Sequence, residues 1–126
     1  MIRLSALAAI AAAAAAVTVL AMTATAGAAG HPKLIGVVGK NDAYKITLKT
    51  AKGKLVKTLK AGTYTIVVHD KSSIHNFHLI GRGVNKKTGV AFVGDMTWTV
   101  TLKAGKYTYQ CDPHAASVRG SFRVKA

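Results

Sequence analysis

Tyr107-Thr108-Tyr109-Gln110-Cys111-Asp112-Pro113-His114 is the stretch whose reading decides the fold. In an extended chain Tyr107, Tyr109 and Cys111 share one face, and Thr108 and Gln110 the other, which is the two-residue period of a β-strand. Pro113 then bends the chain, so that His114 returns towards the strand end that carries Cys111. An earlier stretch, Ser73-Ile74-His75-Asn76-Phe77-His78-Leu79, supplies further imidazoles. Read as a strand that starts at His75, it puts His75 with Phe77 and Leu79 on an apolar face. His78 falls with Asn76 and Ile80 on the opposite one. His75 is therefore the stronger donor candidate and His78 the weaker.

Outward from these two stretches the chain divides into short runs separated by turn residues. Residues 34–38 form an apolar run, closed by Gly39-Lys40-Asn41-Asp42. Residues 44–49 alternate apolar and polar, and Ala51-Lys52-Gly53-Lys54 reads as a hairpin-like turn. Further runs cover residues 55–59, 64–68, 75–80, 91–93, 97–102, 106–111 and 121–124, with room for a helical turn between 85 and 89. No run after residue 30 keeps a helical period. Many short strands with turn signals between them point to an antiparallel sandwich or barrel.

Thr58-Leu59-Lys60-Ala61-Gly62-Thr63-Tyr64-Thr65 is echoed by Thr101-Leu102-Lys103-Ala104-Gly105-Lys106-Tyr107-Thr108. Two copies are too few for a repeat array. They read as equivalent corners of one sandwich, each Tyr packing its ring inward while its hydroxyl finds a backbone partner.

Residues 1–28 carry the marks of an export signal: Arg3, an apolar Ala-rich stretch from residue 4 to about 22, and small-residue cleavage triplets near 26–28. An exported protein with one unpaired thiol, Cys111, and no second cysteine for a disulfide needs a reason for keeping it. The remainder, 29–126, is enough for one compact domain. The chain is strongly basic, with 18 Lys and Arg against 4 acids and a formal charge of +14. Such charge favours acidic proteins or anionic envelope components. Nucleic acid is not expected, because the aromatic residues sit in strand patterns and not in a base-stacking motif.

One thiolate and two imidazoles are the soft and borderline donors of a trigonal His₂Cys copper site, in which Cu(I) and Cu(II) share one geometry. His75, followed far downstream by Tyr-x-Cys-x-Pro-His and by Gly120-Ser121-Phe122-Arg123-Val124, resembles the cupredoxin family, plastocyanin-like blue copper proteins above all. The likeness spans roughly residues 56–124 and is densest over the last twenty residues. It implies an all-β, antiparallel Greek-key β-sandwich with one copper ion held by His75, Cys111 and His114. It also implies that Asn76 ties the two ligand loops together beside the thiolate. The family's axial methionine is missing: Val118 falls in that slot, and Met96, the one methionine outside the signal, starts a different strand.

The resulting expectation is a small type 1 copper protein, secreted or periplasmic, that carries single electrons and is not an enzyme. It would act as a monomer and be peripheral to the membrane at most. The alternative is a cupredoxin-shaped copper carrier or non-redox module for anionic surfaces. An oxidase or reductase would need further copper centres and domains than about one hundred residues provide.

Overall fold

Each run that alternates in the sequence does so because one side chain in two must leave water, and the burial follows that period. Along Gly62–Asp70, Tyr64, Ile66, Val68 and Asp70 are buried while the residues between them are partly exposed. Pairing such strands in two sheets, with their apolar faces inward, produces the observed architecture. The computed structural model describes residues 13–14 and 30–126. Apart from positions 13 and 14, the expected export signal at 1–28 lies outside the described residues. Among the described residues no helix is long and apolar enough to cross a membrane.

Nine strands follow in order: β1 Lys33–Val38, β2 Ile46–Thr50, β3 Thr58–Lys60, β4 Gly62–Asp70, β5 His78–Gly81, β6 Val84–Lys87, β7 Gly94–Leu102, β8 Gly105–Gln110 and β9 Arg119–Lys125. One sheet has the order β2-β1-β4-β7 and the other β3-β9-β8-β5-β6. The β-sandwich expected from the sequence is present, with one difference. The sheets are mixed, since β1 runs parallel to β4 and β3 parallel to β9, while the other pairs are antiparallel. Parallel neighbours need a crossover, and the excursion through β2 and β3 supplies it for β1 and β4. Side-chain alternation carries no information on strand direction, so the sequence does not display this.

The core between the sheets joins aliphatic side chains to a cluster of aromatic rings. Leu34, Val38, Leu48, Ile66 and Val68 face Phe77, Tyr107, Tyr109 and Phe122. Phe77 stacks on Tyr109 with centroids 5.8 Å apart, and Tyr107 on Phe122 at 5.3 Å. Close approach at these rings requires glycine: a Cβ at Gly36 would stand 2.7 Å from the Phe77 ring. The echoed corners are built as the sequence implied. Tyr64 donates to the Lys60 carbonyl at 2.7 Å, and Tyr107 donates to the Lys103 carbonyl at 2.9 Å while accepting from the Lys103 amide at 2.9 Å.

Several segments differ from expectation. The run 75–80 becomes a strand only at His78. His75, Asn76 and Phe77 are buried in succession, which a half-exposed pleated strand does not allow. Residues 84–87 form β6 instead of a helical turn, and 91–93 lie outside the strands.

Candidate metal centre

At the end of the sandwich opposite the tyrosine corners, three side chains converge from two loops. His75 lies on the connection from β4 to β5. Cys111 directly follows β8, and His114 closes the short 3₁₀ turn Asp112–His114, which has Pro113 in its first turn. That turn forms because Pro113 needs no amide partner there. The amide of His114 donates to the Cys111 carbonyl at 3.0 Å, and the amide of Val118 donates to the His114 carbonyl at 2.8 Å. The Cys111 amide reaches the Val118 carbonyl at 2.9 Å and closes the loop.

The donor atoms form a nearly equilateral triangle. His75 Nδ1 is 3.4 Å from Cys111 Sγ, Sγ is 3.4 Å from His114 Nδ1, and the two Nδ1 atoms are 3.1 Å apart. A point equidistant from all three lies about 1.9 Å from each, close to the ~2.0–2.3 Å that nitrogen and sulfur ligands take around a d-block ion. His75 and Cys111 are fully buried and His114 is half-buried. His75 Nε2 is buried with no hydrogen-bond partner, so the polar contacts of this imidazole are all at its Nδ1 edge. Two imidazole nitrogens and a sulfur aimed at a common point fit one soft-to-borderline cation, copper among them.

Polar contacts around the triangle hold the two loops in register. Asn76 Nδ2 donates to Asp112 Oδ2 at 2.9 Å and to the Thr88 carbonyl at 3.2 Å, while Asn76 Oδ1 accepts from the Asp112 amide at 2.7 Å. These bonds join the loop of His75 to that of Cys111 and His114. Thr88, fully buried, accepts from the Phe77 amide at 2.9 Å and donates to Asp70 Oδ2 at 2.6 Å. Burial pushes the Asp70 carboxyl above its ordinary pKa, against the pull of its bonds from Thr88 and the Ser72 amide.

Asp112, between Cys111 and His114 in the chain, is a hub of these contacts. Burial pushes its pKa up, but hydrogen bonds from Gln110, His78 and Asn76 outweigh that and hold it at about 2. His78 is not one of the converging donors. Its Nδ1 faces Asp112 Oδ1 at 2.8 Å and its Nε2 faces Asn85 Oδ1 at 2.6 Å. His69 pairs with Asp95 across the β4–β7 ladder at 2.6 Å, and His31 stands apart from the group. Val118 is buried under the ligand loop. Met96 sits on β7, opposite Val68.

Sequence reasoning missed Tyr44, whose ring lies edge-on to both His75 and His114, with centroids at 4.8 and 4.6 Å. The alternation places it at the head of a strand, and that strand begins only at Ile46. Nothing in the alternation marks it as a neighbour of the site.

No protein-family model matches the chain, and no curated protein sequence matches it. Solved structures do. Reduced rusticyanin superposes with a TM-score of 0.55 at 21% identity, over 74% of this chain and 78% of that one. A variant of rusticyanin with one methionine replaced by glutamine gives 0.55 at 21% identity, over 74% and 76%. Rusticyanin from Thiobacillus ferrooxidans gives 0.51 at 22% identity, over 74% and 76%. Rusticyanin is a copper protein. At such identity the likeness is one of fold: the chain has the β-sandwich of the cupredoxins. The His-Cys-His cluster within that fold is consistent with a cupredoxin-like blue copper protein.

Proposed function

We propose that this protein is a type 1 copper protein that carries single electrons, with His75, Cys111 and His114 as the ligands of one copper ion. A single observation carries the reading: three donor atoms from two separate loops, a thiol sulfur and two Nδ1 atoms, meet at 3.1–3.4 Å at one end of the cupredoxin fold. When bound, copper supplies the one-electron chemistry, alternating between Cu(II) and Cu(I) in a geometry that suits both.

The chain's own residues do the rest. Full burial of Cys111 and His75 keeps water from the sulfur, and the bonds of Asn76 hold both loops still, so little rearranges when charge changes. His114, half-buried beside Pro113 and Ala115, brings its ring edge nearest to solvent and forms the port to a partner. A net charge of +14 favours an acidic partner and speeds its approach. Residue 118 is a buried valine and offers no thioether donor, and a copper ion held by His75, Cys111 and His114 without one would favour Cu(I) and have a raised reduction potential. We further propose that residues 1–28 direct export and that 29–126 act as one domain in the periplasm or cell envelope.

Titration of the purified protein with Cu(II) tests this reading. An intense visible absorption that bleaches on reduction and is absent in Cys111→Ser is the expected result, and a colourless wild-type protein at neutral pH would overturn it. Val118→Met is expected to lower the potential in voltammetry. Tight Cu(I) binding without reversible voltammetry would favour a copper carrier instead.

A further inference from the structure

Tyr44 is 62% exposed, yet its ring is held against the two imidazoles at interplanar angles of 85° and 65°. The imidazoles are themselves 4.8 Å apart, so the three rings form one closed cluster. A side chain this exposed is not kept in place by burial. The loop that carries it is what fixes it.

That loop is built with unusual backbone. Gly39, Asn41 and Asp42 all have left-handed φ values, of 69°, 55° and 57°. Asn and Asp tolerate that region better than other side chains, and Gly39 has a second constraint. A Cβ on it would stand 2.5 Å from Ser72 Cβ and 3.1 Å from the His75 ring. The residues flanking Tyr44 are pinned: the Gly39 amide donates to the Lys45 carbonyl at 3.1 Å and the Lys45 amide to the Ala43 carbonyl at 2.8 Å. Asp42 Oδ1 then accepts from Ser72 Oγ at 2.7 Å, and Ser72 Oγ accepts from the Ile74 amide at 3.3 Å. The Tyr44 loop is thereby clasped to the segment that presents His75.

We propose that Tyr44 is a positioning residue of the metal centre, its ring edge holding His114, the one donor that reaches solvent, in line with His75 and Cys111. The proposal rests on the reading of His75 and His114 as ligands. Edge-to-face contact favours a ring in this place without requiring the phenol hydroxyl, so phenylalanine serves as well.

The test compares Tyr44→Phe, Tyr44→Ala and Asp42→Ala in the full chain. In the metal-free protein, proton NMR reads the ring current of Tyr44 at the His75 and His114 ring protons, whether or not copper is ever bound. In the Cu(I)-loaded protein, transfer to a Cu(I) chelator reads the release rate. Tyr44→Ala is expected to move both sets of histidine shifts and speed release roughly three- to tenfold, with an unchanged denaturation midpoint. Tyr44→Phe should match wild type, and Asp42→Ala should fall between. Unmoved His114 shifts in Tyr44→Ala, or unchanged release from it, would overturn the proposal. A wild-type protein that binds no copper but shows the ring-current shifts would refute the proposed function and leave the ring contact standing.

Discussion

The two ends of the sandwich are held by hydrogen bonds of different reach. At the corner end the phenols of Tyr64 and Tyr107 bond to carbonyls four residues away, at Lys60 and Lys103. At the metal end the contacts join residues far apart in the chain: Asp42 to Ser72, Asn76 to Asp112, and His75 to both Cys111 and His114. Local bonds form cheaply and hold the turns shut. Distant ones need the whole sandwich in place first, and they set where the donor atoms stand. The corner end therefore contributes stability, and the metal end depends on it for geometry.

The largest effect should come from emptying a corner. Tyr107→Ala removes a fully buried ring stacked on Phe122 and should cost about 3–5 kcal/mol in denaturant unfolding. Asn76→Ala comes next, since it leaves the Asp112 amide and a carboxylate oxygen without their partner, at about 2–3 kcal/mol. It should also weaken copper binding by roughly 10–100-fold in a competition assay. Tyr107→Phe takes only the hydroxyl, at about 1–3 kcal/mol, and should leave copper affinity unchanged. If Tyr107→Phe loosened copper as much as Asn76→Ala, the contrast between the two ends would be wrong. Tyr64→Phe breaks one carbonyl bond, and about 1 kcal/mol is expected.

The smallest effect belongs to the surface pair His69–Asp95. The hydrogen bond from His69 lowers the Asp95 pKa below its usual 3.8. A carboxylate with a depressed folded pKa stabilises the protein above its unfolded pKa, and that contribution disappears as the pH falls from about 4 through the folded value. Asp95→Asn should flatten this part of the acid limb in a pH series of unfolding curves, and added salt should mask the difference.

What could be read from the sequence follows the same division. The corners were legible because motif and partner lie within a few residues of each other. Cys111 and His114 were legible because Pro113 fixes the chain between them. His75 was singled out through an alternation that does not exist there, since the strand begins only at His78. Its burial comes from an irregular segment pinned by Thr88 and Asn76. Tyr44 was hidden because its partners, His75 and His114, lie some thirty or more residues away, and period carries no record of them. The parallel pairings were hidden for a related reason, as alternation is the same in either direction.

The pairing of β3 with β9 matches Thr58 to Arg123 and Lys60 to Lys125, which makes β9 an inner strand of its sheet. During synthesis that strand emerges after all the others described, so the second sheet lacks an inner member until it does. Folds dominated by such remote pairings acquire their native structure slowly. The thiol of Cys111 consequently spends an interval uncovered before the layers close over it.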